Sequence, residues 1–208
     1  MDEKKIAQYE KLDKFIAERL ANDIYPEIPG EPHLSITRDM IGKLQNHAKL
    51  ENARILDCGC GQGLALEIFT KKGAKPTGLT FGEDWSICKK RGFDAIEMDF
   101  SFLDFPDESF DVIWCRHAIE HSLFPLFTLK GFHEVLKPGG LLYIEVPAPT
   151  TSALHETNPN HYSCFTAPVW LSIFAKSNFE VVEALDLTFQ VQCGPDLYHA
   201  FFLRKLNQ

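Results

Sequence analysis

From Ala53 onward the chain alternates between two rhythms of apolar and polar residues. Short apolar runs bounded by Gly, Pro or Asp read as strands, and stretches with apolar residues every three or four positions read as helices. The runs predict strands at 53–58, 75–80, 94–98, 110–115, 140–146, 179–188 and 197–205. Helices are predicted at 64–72, 83–91, 126–136 and 167–177. Such alternation predicts an α/β fold, a mostly parallel sheet with helices on both faces. Only the turn region Gln192–Pro195 separates the last two strands, so they are expected to pair as an antiparallel hairpin at the sheet edge.

The first fifty residues follow a different pattern. Residues 2–21 read as a polar helix with one apolar stripe, Ile6, Tyr9, Leu12, Phe15, Ile16 and Leu20. The segment Tyr25–Pro32, with three prolines and a glycine, breaks it, and a second short helix is expected over Thr37–Lys49. That stripe is too small to fold alone. Residues 1–50 are therefore read as a helical cap on a main domain, 51–208. Within that domain, Lys137-Pro138-Gly139-Gly140 is expected to stop a helix and turn into the strand Leu141–Val146. The helix at 83–91 opens on Glu83 and Asp84 and closes on Lys89, Lys90 and Arg91, which complements its dipole.

Composition narrows the functional classes. The chain has 208 residues, 45% hydrophobic and 24% charged, with a net charge of −8. That charge disfavours a polyanion-binding surface, so no nucleic-acid partner is expected. No apolar run reaches the roughly 18 residues of a membrane span. The opening Met-Asp-Glu-Lys-Lys lacks a signal-peptide core, and the reading is a cytoplasmic protein. The six cysteines have no zinc spacing and are read as structural thiols.

Residues 55–63, Ile-Leu-Asp-Cys-Gly-Cys-Gly-Gln-Gly, carry the sharpest chemical signal. A buried strand ends at Asp57, glycines follow at 59, 61 and 63, and a helix begins at Leu64. Strand, glycine loop and helix hold nucleotide-like ligands in open α/β sheets. The spacing is G-x-G-x-G, not the dinucleotide fingerprint, and the Lys-Ser/Thr of a phosphate loop is missing. An acidic residue two positions before the first glycine suits a ligand with a cationic end.

The glycine loop, Asp99 after the third strand, the fourth strand Phe110-Asp111-Val112-Ile113 and the Lys-Pro-Gly-Gly turn occur in a fixed order. Together they resemble a class I S-adenosylmethionine-dependent methyltransferase of the small single-domain type, over residues 50–185. The resemblance implies a Rossmann-like sheet, S-adenosylmethionine as cofactor, and methyl transfer to a small-molecule acceptor. It places Asp57, Gly59, Cys60, Gly61 and Gly63 at the methionine end of the cofactor. It places the end of strand two, here Thr80, at the ribose, and Asp99 with Phe100 at the adenine. Arg116, just past strand four, falls in the segment that lines the cofactor pocket. Thr80 departs from the family, which has Asp or Glu there to accept from both ribose hydroxyls. Glu83 or Asp84 could reach back instead, or could only cap and complement the helix dipole.

The segment after strand four, Cys115-Arg116-His117-Ala118-Ile119-Glu120-His121, supplies two candidate catalytic bases, His117 and His121. In the family, position 121 more often has a structural role. Residues 117–121 also spell H-x-x-E-H, an inverted zinc-protease pattern. Pro125 follows closely and the segment sits in a ligand-binding sheet, so no metal is expected. The loop 155–165 offers His155, His161 and Tyr162 as substrate contacts, or serves only as a connector held by Tyr162 and Phe165. Glu31, Pro32 and His33 could close over the pocket. Phe81, Trp85, Phe102 and Phe105 belong either to the site or to the core. Sugar, lipid-headgroup, small aromatic and amine acceptors all suit the pattern. Two other functions share it: a non-catalytic cofactor-binding module regulating a partner, and another group transfer on the same fold.

Overall fold

The computed structural model describes residues 2–23 and 30–207. Its sheet is built from β1 (Arg54–Cys58), β2 (Lys75–Thr80), β3 (Ala95–Glu97), β4 (Phe110–Arg116), β5 (Leu136–Pro147), β6 (Phe179–Val191) and β7 (Gly194–Lys205). The spatial order is β3-β2-β1-β4-β5-β7-β6. β3, β2, β1, β4 and β5 pair in parallel, and β7 runs antiparallel to both β5 and β6. This is the expected Rossmann-like sheet, with the antiparallel strand inserted between β5 and the edge strand β6.

The central strands β1 and β4 present apolar residues to both faces because both faces are covered. Around them run α1 (Glu3–Asp23), α2 (His33–Leu44), α3 (Leu64–Lys71), α4 (Gly82–Lys90), α5 (Pro125–Val135) and α6 (Ala167–Lys176). On one face Leu56, Cys58, Ile113 and Cys115 pack with Leu129 and Phe132 of α5 and Trp170 and Phe174 of α6. On the other, Ile55, Val112 and Trp114 meet Met40, Ile41 and Leu44 of α2 and Phe69 of α3. Trp114 stacks on Tyr143 of the next strand, with ring centroids 4.1 Å apart.

Four sequence expectations change. Lys137-Pro138-Gly139-Gly140 does not precede β5 but lies inside it. Phe110 faces Leu136 and Val112 faces Leu141, so residues 137–140 bulge out opposite Asp111. Lys137 Nζ binds Asp111 Oδ1 at 2.6 Å and pins the bulge to β4. The terminal hairpin is longer than its apolar runs suggest, with Val191 facing Gly194 across a two-residue turn, Gln192-Cys193. The stripe of α1 is largely open to solvent: Ile6, Tyr9, Leu12 and Phe15 are 40–52% exposed. Only Ile16 turns into the cleft described below. α2 starts at His33, earlier than expected, and ends at Leu44. The break at Tyr25–Pro29 and the side chain of Leu20 lie outside the described residues. Among the described residues, no helix is long and apolar enough to cross a membrane.

Sheet order reverses between β1 and β4, and ligands of open α/β sheets bind in the crevice such a reversal leaves at the strands' carboxyl ends. Asp57, Thr80, Arg116 and His117 all sit at those ends.

Candidate active site

The loop after β1 is shaped by close backbone approach. Gly59 has φ 77°, and its N–H binds Leu79 O at 3.0 Å. A Cβ at Gly59 would lie 2.7 Å from Cβ of Ala118, so this glycine lets the loop nest against the segment after β4. Gly61 leaves open space in front of the loop, with only a carboxylate oxygen of Asp84 near, at 3.9 Å from a built Cβ. Gly63 faces the opposite way, towards Phe93 and Cys88, and supports the loop without lining the cleft.

Two connected hollows share Gly59, Gly61 and His117. The wider cleft is walled by Thr80, Phe81, Asp84, Asp99, Phe100 and His121, with Ile16 and Arg19 of α1 along its rim. The smaller chamber contains Asp57, Cys60, Arg116, Trp114, His33 and Thr37. Thus Asp57, Gly59, Cys60, Gly61, Thr80, Asp99, Phe100 and Arg116 come together as the sequence predicts, and of the predicted set only Gly63 stands behind. Of the four aromatic residues weighed earlier, Phe81 and Phe102 line the cleft. Phe105 packs on Phe110, and the Trp85 indole donates to Ala95 O at 3.3 Å.

Asp57 is buried, and its Oδ2 has no hydrogen-bond partner among the described residues. Burial, with Cys88 nearby, pushes its carboxyl up to about 8, although Arg116 works the other way. A cationic group entering the chamber would satisfy this oxygen, so the chamber fits the ammonium-bearing end of S-adenosylmethionine.

Beside it lies a buried polar hub at Glu145 of β5. Its Oε1 lies 2.8 Å from Nε of Arg116 and 2.8 Å from Nε2 of His117, and its Oε2 accepts from Tyr143 at 2.6 Å. Burial opposes ionisation of Glu145, but its hydrogen bonds and the Arg116 charge prevail and hold it at about 2. His117 is pushed down to about 3 by burial and by Arg116, so its ring is neutral. Nε2 then carries the proton donated to Glu145, and Nδ1 is left as an acceptor. The ring stacks on Tyr198 at 4.2 Å. Arg116 also donates to Nδ1 of His33 at 3.0 Å, so residue 33 does close over the chamber. His33 is lowered by burial and by Arg116.

His121 is pushed down to about 4 by burial and by His161, whose ring lies 4.9 Å away. Glu120, His121 and His161 each bring a ligand atom within 4.8 Å of the others, a group that could hold an ion. His117 is turned away onto Glu145 and Tyr198, so the two histidines of the H-x-x-E-H pattern do not converge as in a zinc protease. His155 sits one layer out, its Nε2 3.1 and 3.0 Å from the two oxygens of buried Asp196 and its ring 5.3 Å from Tyr198. Tyr162 lines neither hollow. Sequence reading placed the end of the fifth strand, Glu145–Pro149, on the same rim but gave no role to Glu145, Asp196 or Tyr198. Each is a polar residue within a strand, and most of its partners come from other segments.

The chain resembles proteins of known family. It is 33% identical over 108 residues to the ubiquinone biosynthesis O-methyltransferase of Nitrosococcus oceani, a match spanning 48% of this chain and 46% of that protein. The enzyme of the same name from Xanthomonas oryzae pv. oryzae is 25% identical over 189 residues, 80% of this chain and 78% of its own. A SAM-dependent methyltransferase of Methanosarcina mazei superposes with TM-score 0.69 at 18% identity, covering 80% of this chain and 98% of that one. The methyltransferase domain family matches residues 15–184. With a glycine loop, a cation-seeking carboxyl and this sheet order in one crevice, the chain belongs to that family and is a class I S-adenosylmethionine-dependent methyltransferase.

Proposed function

We propose that this enzyme methylates a hydroxyl oxygen of a small, uncharged acceptor. The observation that carries this reading is the set of histidines gathered past the end of β4. His33, His117, His121 and His161 are all held neutral by burial. Neutral imidazoles accept a hydrogen bond from a hydroxyl, and the nearest charges, Arg116 and Glu145, are spent on one another. The name O-methyltransferase carried by the relatives supports the same choice.

Each part of the crevice has an assigned task. Asp57, Cys60 and the backbone around Gly59 and Gly61 take the methionine end, with Gly63 bracing the loop and Arg116 and His33 closing the chamber. Thr80 faces the ribose, and Asp99 and Phe100 take the adenine. Residues 1–50 act as a cap, with His33 over the chamber and Ile16 and Arg19 at the cleft rim. When bound, S-adenosylmethionine supplies an electrophilic methyl group on a sulfonium. The chain's residues hold the acceptor in line with it in a water-poor site, and positioning of this kind is worth about 7–11 kcal/mol. His117 offers Nδ1 to the acceptor hydroxyl and fixes its direction. A ring held at about 3 is too weak a base to keep the proton. His155, backed by Asp196, carries it away, and His161 completes the wall beside His121.

The test uses methyl-labelled S-adenosylmethionine with a panel of catechols, phenols, alcohols, amines and carboxylates. Methyl ethers identified by mass spectrometry are the expected products. Methylation confined to amines or carboxylates would overturn the oxygen assignment.

A further inference from the structure

We propose that Asp84, one turn into α4, replaces the missing carboxylate at the end of β2 and holds the ribose hydroxyls of the cofactor. The inference rests on S-adenosylmethionine occupying the wider cleft. Thr80 ends β2 and lines that cleft, but a single hydroxyl cannot accept from two vicinal hydroxyls as a carboxylate does.

The neighbouring carboxylates separate cleanly. Glu83 is exposed and does not line the cleft. Glu97 faces Thr80 across the β2–β3 ladder, but its Oε1 accepts from the Gly82 N–H at 2.9 Å. That bond anchors the first residue of α4. Asp84, two residues on, is 6% exposed and lines the cleft. Its Oδ2 lies 3.9 Å from where a Cβ on Gly61 would be. Its carboxylate therefore stands beside the glycine loop, in the same cleft as Asp99 and Phe100. The ribose joins the sulfonium arm to the adenine, so it lies between those two ends. A helix-dipole role needs only an acidic residue near the N-terminus, which exposed Glu83 already provides. Burial of Asp84 in the cleft is the feature that role leaves over.

Calorimetry with S-adenosylhomocysteine tests this without any knowledge of the acceptor. Asp84→Asn is expected to weaken binding about tenfold to a hundredfold, the worth of a charge-assisted hydrogen bond, and Glu83→Gln to leave it unchanged. Against the 2′-deoxy analogue of S-adenosylhomocysteine, the wild type should lose a similar factor and D84N should lose little more. Adding Thr80→Asp to D84N should recover affinity, and a denaturant melt of each variant checks that it is folded. D84N binding as tightly as wild type, or an undiminished deoxy penalty in D84N, would overturn the proposal. Should D84N not fold, the single variant Thr80→Asp decides: it should gain little over the wild type if Asp84 already holds the ribose, and a gain of tenfold or more would overturn the proposal. A folded wild type that binds no S-adenosylhomocysteine at millimolar concentration would instead remove the cofactor assignment itself.

Discussion

Nε2 of His117 lies 2.8 Å from Oε1 of Glu145, one strand over, with Glu145 fully buried and His117 largely so. The contact fixes the sign of the acid response. His117 titrates near 3 in the fold against 6.5 unfolded, so its stabilisation is full above pH 6.5 and is lost as pH falls towards 3. Glu145 titrates near 2 against 4.5, and its share is lost between pH 4.5 and 2. In urea melts at pH 7, 5 and 4, the stability advantage of the wild type over a His117→Gln variant should therefore shrink as pH falls. Glu145→Gln should cost about 3–5 kcal/mol at pH 7, because Arg116 is left buried without its counter-charge. A loss below 1 kcal/mol would contradict this.

Asp57 runs the other way. Its folded pKa of about 8 lies above 3.8, so its contribution is complete below pH 4 and is lost as pH rises to 8. Asp57→Asn should flatten that slope and be the more stable protein at pH 8. Binding of a cationic ligand should draw the carboxyl down and release up to one proton at pH 7. Titrations in phosphate and in Tris buffers measure that proton as a difference in apparent enthalpy, and identical enthalpies would count against the assignment.

Gly59→Ala places a methyl group 2.7 Å from Ala118 Cβ on a backbone with φ 77°. The left-handed conformation alone costs about 1–2 kcal/mol, and the clash adds to it. Gly63→Ala shares the conformational cost, but its nearest obstacle is the edge of the Phe93 ring, at 2.8 Å, which can swing aside. Denaturant melts should rank G59A as the less stable, and S-adenosylhomocysteine binding should fall further in G59A.

Asp196→Asn removes the charge behind His155. With any hydroxyl acceptor from the panel, turnover should fall about 10²-fold or more, as expected for a proton-transfer group, while S-adenosylhomocysteine affinity stays within twofold. Unchanged turnover in D196N would move the proton's exit elsewhere.

Strands β1 and β4 were legible because their apolar runs are buried on both sides, and the tips at Asp57 and Arg116 follow from where those runs stop. The bulge at 137–140 was not, since Pro-Gly-Gly has the same composition in a free turn and in a turn pinned to a strand through Asp111 and Lys137. The role of Glu145 was not legible because its partners Arg116 and His117 are distant in sequence. Asp84 was ambiguous for a different reason. Local charge pattern is the same whether an acidic residue serves a helix dipole or a ligand, and only its orientation into the cleft separates the two.

His33 belongs to the helix before the sheet, yet its imidazole accepts from Arg116 at the tip of β4. One wall of the methionine chamber thus comes from a segment that the sheet does not need in order to form. The His33 ring also packs edge-on against His117, Phe189 and Tyr198. Side chains alone tie that wall to the sheet, and no strand ladder has to open for it to move.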